Sequence, residues 1–232
     1  MPTGSPAPVS SFGPSTKEIV VLTAERLFAV YGVNGVSLRQ ISVEAGMANH
    51  SVVQYHFGSK DGLVDAILVN RLTYLAHRRQ LLFARLRTDH LRSVAEAYLL
   101  PVMELTEQSD CYYLIFLEQL HQRGRLERPF DTLPERHKAS RRSYVKRMNP
   151  LLGHVPSQLR LLRIDQASAL CLHACADRQR SLHADETVTS FALHVSQVLD
   201  GIEAFLSAPP SEDTLEALKS SPGRVMSMSA LP

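Results

Sequence analysis

Three features of the sequence predict an all-α protein: helical periodicity over most of the chain, no stretch that alternates convincingly with period two, and three short N-terminal helices, the second and third joined by a glycine turn. The expected architecture is a three-helix helix-turn-helix head followed by a larger helical-bundle body. Four segments follow: a disordered arm over 1–14, a helix-turn-helix domain over 15–60, a helical domain over 61–207, and a mostly disordered tail over 208–232. The arm is rich in Pro, Ser and Gly and has too little apolar surface to offset the entropy of ordering. The tail is similar, although Leu215 and Leu218 allow one short helical turn.

The first helix is expected from about Ser15 to Tyr31. Val20, Ala24, Leu27, Phe28 and Tyr31 form one apolar stripe, and Gly32 follows where a left-handed cap is wanted. The second helix starts at Ser37, where Ser37-Leu38-Arg39-Gln40 has the spacing of a capping box. Ala45-Gly46-Met47 forms the turn. Asn49 caps a third helix from about His50 to His56, and Ser59 caps the helix that begins at Asp61. The body is expected as helices at 61–87, 91–108 with a kink at Pro101, 112–122, 134–148, 157–181 and 185–206, with a loop over 123–131.

Length and composition bound the function. A chain of 232 residues and 25.8 kDa can bury a substantial core. The formal net charge of +2 is far below that of a purely electrostatic nucleic-acid binder, so basic groups that meet DNA must be placed locally. Cys111, Cys171 and Cys175, odd in number and irregularly spaced, do not describe a disulfide framework and fit a reducing cytosol. No signal peptide or membrane span is expected, and a cytoplasmic location follows.

In a helix-turn-helix the third helix enters the major groove, and the flanking helix starts touch phosphates. His50, Ser51 and Gln54 carry groups suited to base edges or backbone. Tyr55 and His56 can reach phosphate oxygens. Lys60, at a helix start, combines an ammonium with the positive end of the helix. Ser37 and Arg39, at the start of the second helix, can do the same across the groove. Each residue also has a plainer role: Ser37 is first a cap, Tyr55 can pack, and His56 can brace its helix. Phe28, Ile41, Val53 and Phe57 are core.

Three runs carry a family resemblance. Ala24-Glu25-Arg26-Leu27-Phe28-Ala29-Val30-Tyr31-Gly32 resembles the first helix of the tetracycline-repressor (TetR) family. Val36-Ser37-Leu38-Arg39-Gln40-Ile41 resembles its second helix. Gln54-Tyr55-His56-Phe57-Gly58-Ser59-Lys60-Asp61-Gly62-Leu63 resembles the exit of its recognition helix. The likeness spans about Lys17 to Leu68. It implies a TetR-like fold and a homodimer, paired through 157–206, on a palindromic operator of double-stranded DNA. The usual activity is that of a repressor released by a small molecule. From Gly46 to Phe57 the chain is one residue longer than the commonest family pattern. Roles therefore carry over directly at Tyr55, His56 and Lys60, and to within one position at Asn49, His50 and Ser51.

The resemblance places a ligand cavity among the central helices of the body. Periodicity nominates Tyr98, Met103, Tyr112, Phe116, Gln119, Leu120 and His173, the polar members as anchors among apolar walls. Ordinary bundle core is the competing account of each. Cys171, His173, Cys175, Asp177 and His183 raise the question of a metal. One helix cannot converge four of them, so no metal and no cofactor are expected. The basic run from Arg136 to Arg147 is expected to be a solvated helix face whose long stems cover apolar surface. No catalytic motif is present, so no enzyme is expected. The alternative to a ligand-released repressor is a DNA-binding regulator without a ligand, whose body serves dimerisation or a protein partner.

Overall fold

A computed structural model describes residues 15–49, 51–122 and 135–220. The proposed arm over 1–14, His50, the 123–131 loop and the end of the tail from 221 lie outside those residues. Among the described residues the protein is all-α, with ten α-helices and one 3-10 turn.

The head comprises α1 (Thr16–Gly35), α2 (Leu38–Glu44) and α3 (Ser51–Phe57). Ser15 and Glu18 form a capping box that starts α1, each satisfying a backbone donor of the other. Gly32 has φ 73° and ψ 155°, inside the span of α1. Side-chain-bearing residues avoid that region, so the regular part of α1 ends at Tyr31, where the sequence placed its cap. Ser37 and Gln40 form the second capping box. Asn49 starts α3 by accepting from the Ser51 amide at 2.9 Å.

The body follows with α4 (Lys60–Arg85), capped by Ser59, and α5 (Leu91–Glu104), which keeps Pro101 inside it and tightens into a 3-10 turn at Leu105–Glu107. Then come α6 (Tyr113–Gln122), α7 (Glu135–Leu151), α8 (Ser157–His183), α9 (Phe191–Ser207) and α10 (Glu212–Ser220). α1 packs on both α4 and α6, and α6 packs on α8. One continuous apolar core thus runs from Phe28 and Ile41 in the head to Leu172 and Ile202 in the body. Phe28 and Phe116 stack across the joint, 6.3 Å between ring centroids.

Two boundaries differ most from expectation. The last long helix starts at Phe191, not at 185. Asp185 takes a left-handed φ of 54°, and the Glu186 amide reaches back to the Ser181 carbonyl at 2.9 Å, which closes α8 with a Schellman-type bond. Ser190 then caps α9 through the Leu193 amide. In the tail, α10 runs for nine residues, not one turn. Ser211 caps it, Glu212 and Asp213 lie in its first turn and Lys219 in its last, all in the sense the helix dipole favours.

Charged side chains tie the elements together. Arg78 pairs with Glu104, and Arg92 with Asp200 and Glu203. In the basic run, Arg141 pairs with Asp165, while Arg142 and Lys138 pair with Glu135. Arg147 meets Asp89 and lies over the Phe83 ring. That is the solvated, stem-covering face expected of this helix. Deeper in the body, the Tyr98 and Tyr144 rings stack in parallel at 4.0 Å, and the Arg79 guanidinium lies 3.9 Å from the Tyr98 ring. Burial pushes the Tyr98, Tyr113 and Tyr144 hydroxyls well above the usual phenol range.

Candidate nucleic-acid interface

The face of the head that α3 presents is built by local signals. Gly46, at φ 69°, turns the chain out of α2. Val53, fully buried, anchors α3 to the head. The seven-residue helix therefore exposes Ser51, Gln54, Tyr55 and His56 on its other side. Tyr55 is 86% exposed, the most exposed large apolar or aromatic side chain among the described residues. Burying such a ring against nothing has no benefit for folding, so packing does not account for its position. His56 meets the Tyr55 ring edge-on at 5.2 Å, so these two outermost rings hold each other in place.

The remaining predicted contacts are arranged around α3. Gln54 donates from Nε2 to the Gly58 carbonyl at 2.5 Å, leaving its Oε1 and one N–H. Lys60 is half-buried, and its Nζ donates to the Val33 carbonyl at 3.1 Å. The lysine thus joins the end of α1 to the start of α4, and two of its three N–H donors are left for a phosphate. Ser37 is occupied as a cap, and Arg39 next to it is exposed. Asn49, also exposed, has its Oδ1 engaged by Ser51. His50 lies outside the described residues.

The head is held to the body by a buried ion pair that the sequence reading did not single out. Glu25, 1% exposed on α1, accepts two hydrogen bonds from Arg71 of α4, at 2.8 and 2.7 Å. It accepts a third from the Tyr112 amide, just before α6, at 3.0 Å. Burial works against the Arg71 charge, but the paired hydrogen bonds to Glu25 more than offset it and raise the guanidinium's pKa above its ordinary value. Beside this latch, Gln119 of α6 donates to the Ala29 carbonyl of α1. The available signal was Glu25 itself, a carboxylate with Val21, Ala24 and Phe28 as its helical neighbours.

The predicted ligand residues separate into two groups. Tyr98, Met103, Phe116 and Leu120 are fully buried in the core. Tyr112, Gln119 and His173 line a groove between α1, α6 and α8. His173 points away from the cysteine pair, towards Glu118 and Asp177, as helical spacing required. The Cys171 and Cys175 sulfurs are 3.9 Å apart as free thiols. Among the described residues no group of three or more His, Cys, Asp or Glu converges on a possible metal position, and no helix is long and apolar enough to cross a membrane.

Residues 20–67 match the family model described as bacterial regulatory proteins, tetR family. The head thus matches the tetR-family DNA-binding region. The match covers α1, α2 and α3 with the first turns of α4, and so includes the whole exposed face. Together with that face it supports DNA-binding regulation of transcription. No curated protein sequence matches the chain. Solved structures that resemble it at low identity include the following three. A protein assigned to the TetR family of transcriptional regulators from Rhodococcus sp. has 15% identity and a TM-score of 0.49, over 83% of this chain and 98% of that one. Another from Mesorhizobium loti has 17% and 0.48, over 83% and 95%. The TetR-family regulator PfmR from Thermus thermophilus has 15% and 0.46, over 85% and 98%.

For a tetR-type head, Tyr55→Ala is expected to weaken binding to every DNA sequence and to lower the slope of log affinity against log salt by about 1, as loss of one phosphate contact does. Gln54→Ala is expected to change base preference instead. Electrophoretic titrations at several salt concentrations check both. Unchanged affinity for Tyr55→Ala would place the phosphate contacts elsewhere.

Proposed function

We propose that the protein is a homodimeric transcriptional repressor that binds a palindromic operator and is released by a small molecule. The observation that carries the reading is the presentation of α3, a short helix anchored by Val53 whose opposite side exposes Gln54, Tyr55 and His56. Residues 61–207 serve as the ligand-binding and dimerisation body. Support for pairing comes from α8 and α9. They leave Leu161, Leu170 and Leu193 exposed, and α9 adds exposed Gly201 and Ala204, small enough for a partner helix to approach closely. Four such helices from two copies would place the recognition helices about 34–36 Å apart, one turn of DNA. A cytoplasmic location, on the nucleoid when bound to DNA, goes with this activity.

The test is selection of random or genomic duplex DNA by the purified protein at physiological salt, followed by sequencing. The expected result is a palindromic consensus with half-sites one helical turn apart. Retention without a consensus would overturn sequence-specific regulation, and an unsymmetrical consensus would overturn the dimer.

A further inference from the structure

The groove between head and body has the makings of a ligand site, and its chemistry is specific. It has a volume of about 670 Å3, within the range of small-molecule pockets. Ala29 and Val30 of α1 form one wall, and Ile115 of α6 continues it. Tyr112 and His183 also line the groove, a close, tilted pair of rings with centroids 4.1 Å apart and planes at 37°. Such a deck suits a flat aromatic guest, whose face or edge it can meet.

The polar groups set the sign of the guest. Gln119 has its amide orientation fixed, because its Nε2 donates to the Ala29 carbonyl. Its Oε1 is buried and has no hydrogen-bond partner. An amide oxygen only accepts, so it asks for an N–H or O–H donor. His183 Nδ1 is likewise buried without a partner. Arg180 does not make the groove attractive to anions, because it is already committed to Glu118 and Asp177. The Arg180 guanidinium is thus matched by two carboxylates, of which Glu118 lines the groove.

We propose that this groove binds a planar aromatic or heteroaromatic amine, neutral or singly cationic, with its ring on Tyr112 and His183 and an N–H donated to Gln119. Because Ala29 and Val30 belong to the head while Gln119 and His183 belong to the body, the guest touches both sides of the joint. Any change in head orientation changes the groove, so guest and DNA affinities are linked reciprocally. This linkage, though not the site itself, rests on the reading of the protein as a DNA-binding regulator.

The test uses the full chain and 2-aminobenzimidazole, a flat fused-ring amine, with 2-naphthoate as the anionic control of similar shape. Chemical-shift titration is expected to give a Kd on the order of 1 mM or tighter for the amine, and binding at least tenfold weaker for the naphthoate. Gln119→Met, which removes the acceptor, should weaken the amine by about tenfold, the cost of leaving a donor unpaired. Val30→Trp fills the groove from an exposed position on α1 and should abolish binding without unfolding the protein. No binding by the unmodified protein, tighter binding of the naphthoate, or binding indifferent to both substitutions would overturn the site. With a retained DNA fragment in hand, DNA affinity unchanged at saturating amine would overturn the linkage. Failure to retain DNA at all would count against the proposed function and leave the titration to decide the site.

Discussion

Glu25→Ala is expected to destabilise the protein by about 3–5 kcal/mol, because it removes one partner of a buried pair and strands the other. The Arg71 guanidinium, 15% exposed, would lose the two oxygens it donates to, and the Tyr112 amide would lose its acceptor. These bonds join three elements at the head–body joint, so the loss should appear as weakened attachment of α1 as well as a lower unfolding free energy. Replacing both partners, as Glu25→Leu with Arg71→Met, should recover most of the stability, since no charge is then left buried. Urea titrations of the two variants check this. A cost below about 1 kcal/mol for the single change would show that the pair is solvated in solution.

The second large effect is expected at Gly62. A Cβ built there would lie 2.0 Å from the Phe57 carbonyl oxygen and 3.1 Å from its carbon, and both are backbone atoms that cannot swing aside. The close approach follows from the turn. Gly58, at φ 69°, folds the end of α3 back so that the Phe57 carbonyl accepts from the Ser59 amide and lies against the first turn of α4. Gly62→Ala must push α3 away from α4, at a cost of about 3 kcal/mol, the upper end of ordinary overpacking. The displaced helix carries Tyr55, so DNA affinity should fall on all sequences while the body keeps its structure. Hydrogen exchange would show faster exchange in α3 with protection in α8 retained. Protection unchanged in α3 would sink this account.

The head was legible in the sequence because its limits are set by local chemistry. Gly32, the Ser37–Gln40 box, Gly46 and Ser59 each act within a few residues, and each lies where its residue type predicted. The body was legible as helices but less so at its joints. The end of α8 depends on Asp185 adopting a left-handed conformation, which favours glycine and which aspartate adopts only occasionally. The latch and the groove were not legible, because they join residues remote in sequence. Glu25 meets partners 46 and 87 positions away, and Gln119 meets Ala29 across 90. Periodicity nominated Tyr112, Gln119 and His173 only together with buried residues, as one list of seven. It could not separate them from Tyr98 and Phe116, because a helix turned towards a groove and one turned towards the core have the same spacing.

The stacked tyrosines of the body also give the protein a built-in optical alarm. With no tryptophan and seven tyrosines, its near-ultraviolet absorbance is dominated by tyrosine. Tyr98, Tyr113 and Tyr144 hold their protons far longer in the folded state than the ordinary value of 10.0 allows, because burial disfavours the phenolate. In the unfolded chain they ionise near that ordinary value. Below it both states carry the protons and stability is unaffected; above it only the unfolded chain releases them, so rising pH draws the protein towards unfolding. In an alkaline titration the last part of the phenolate absorbance should therefore arrive together with the loss of helical circular dichroism. A single early step with the helices intact would mean that these rings meet water. Colour and collapse are thus coupled in this body, and the dye that reports its opening is already part of the chain.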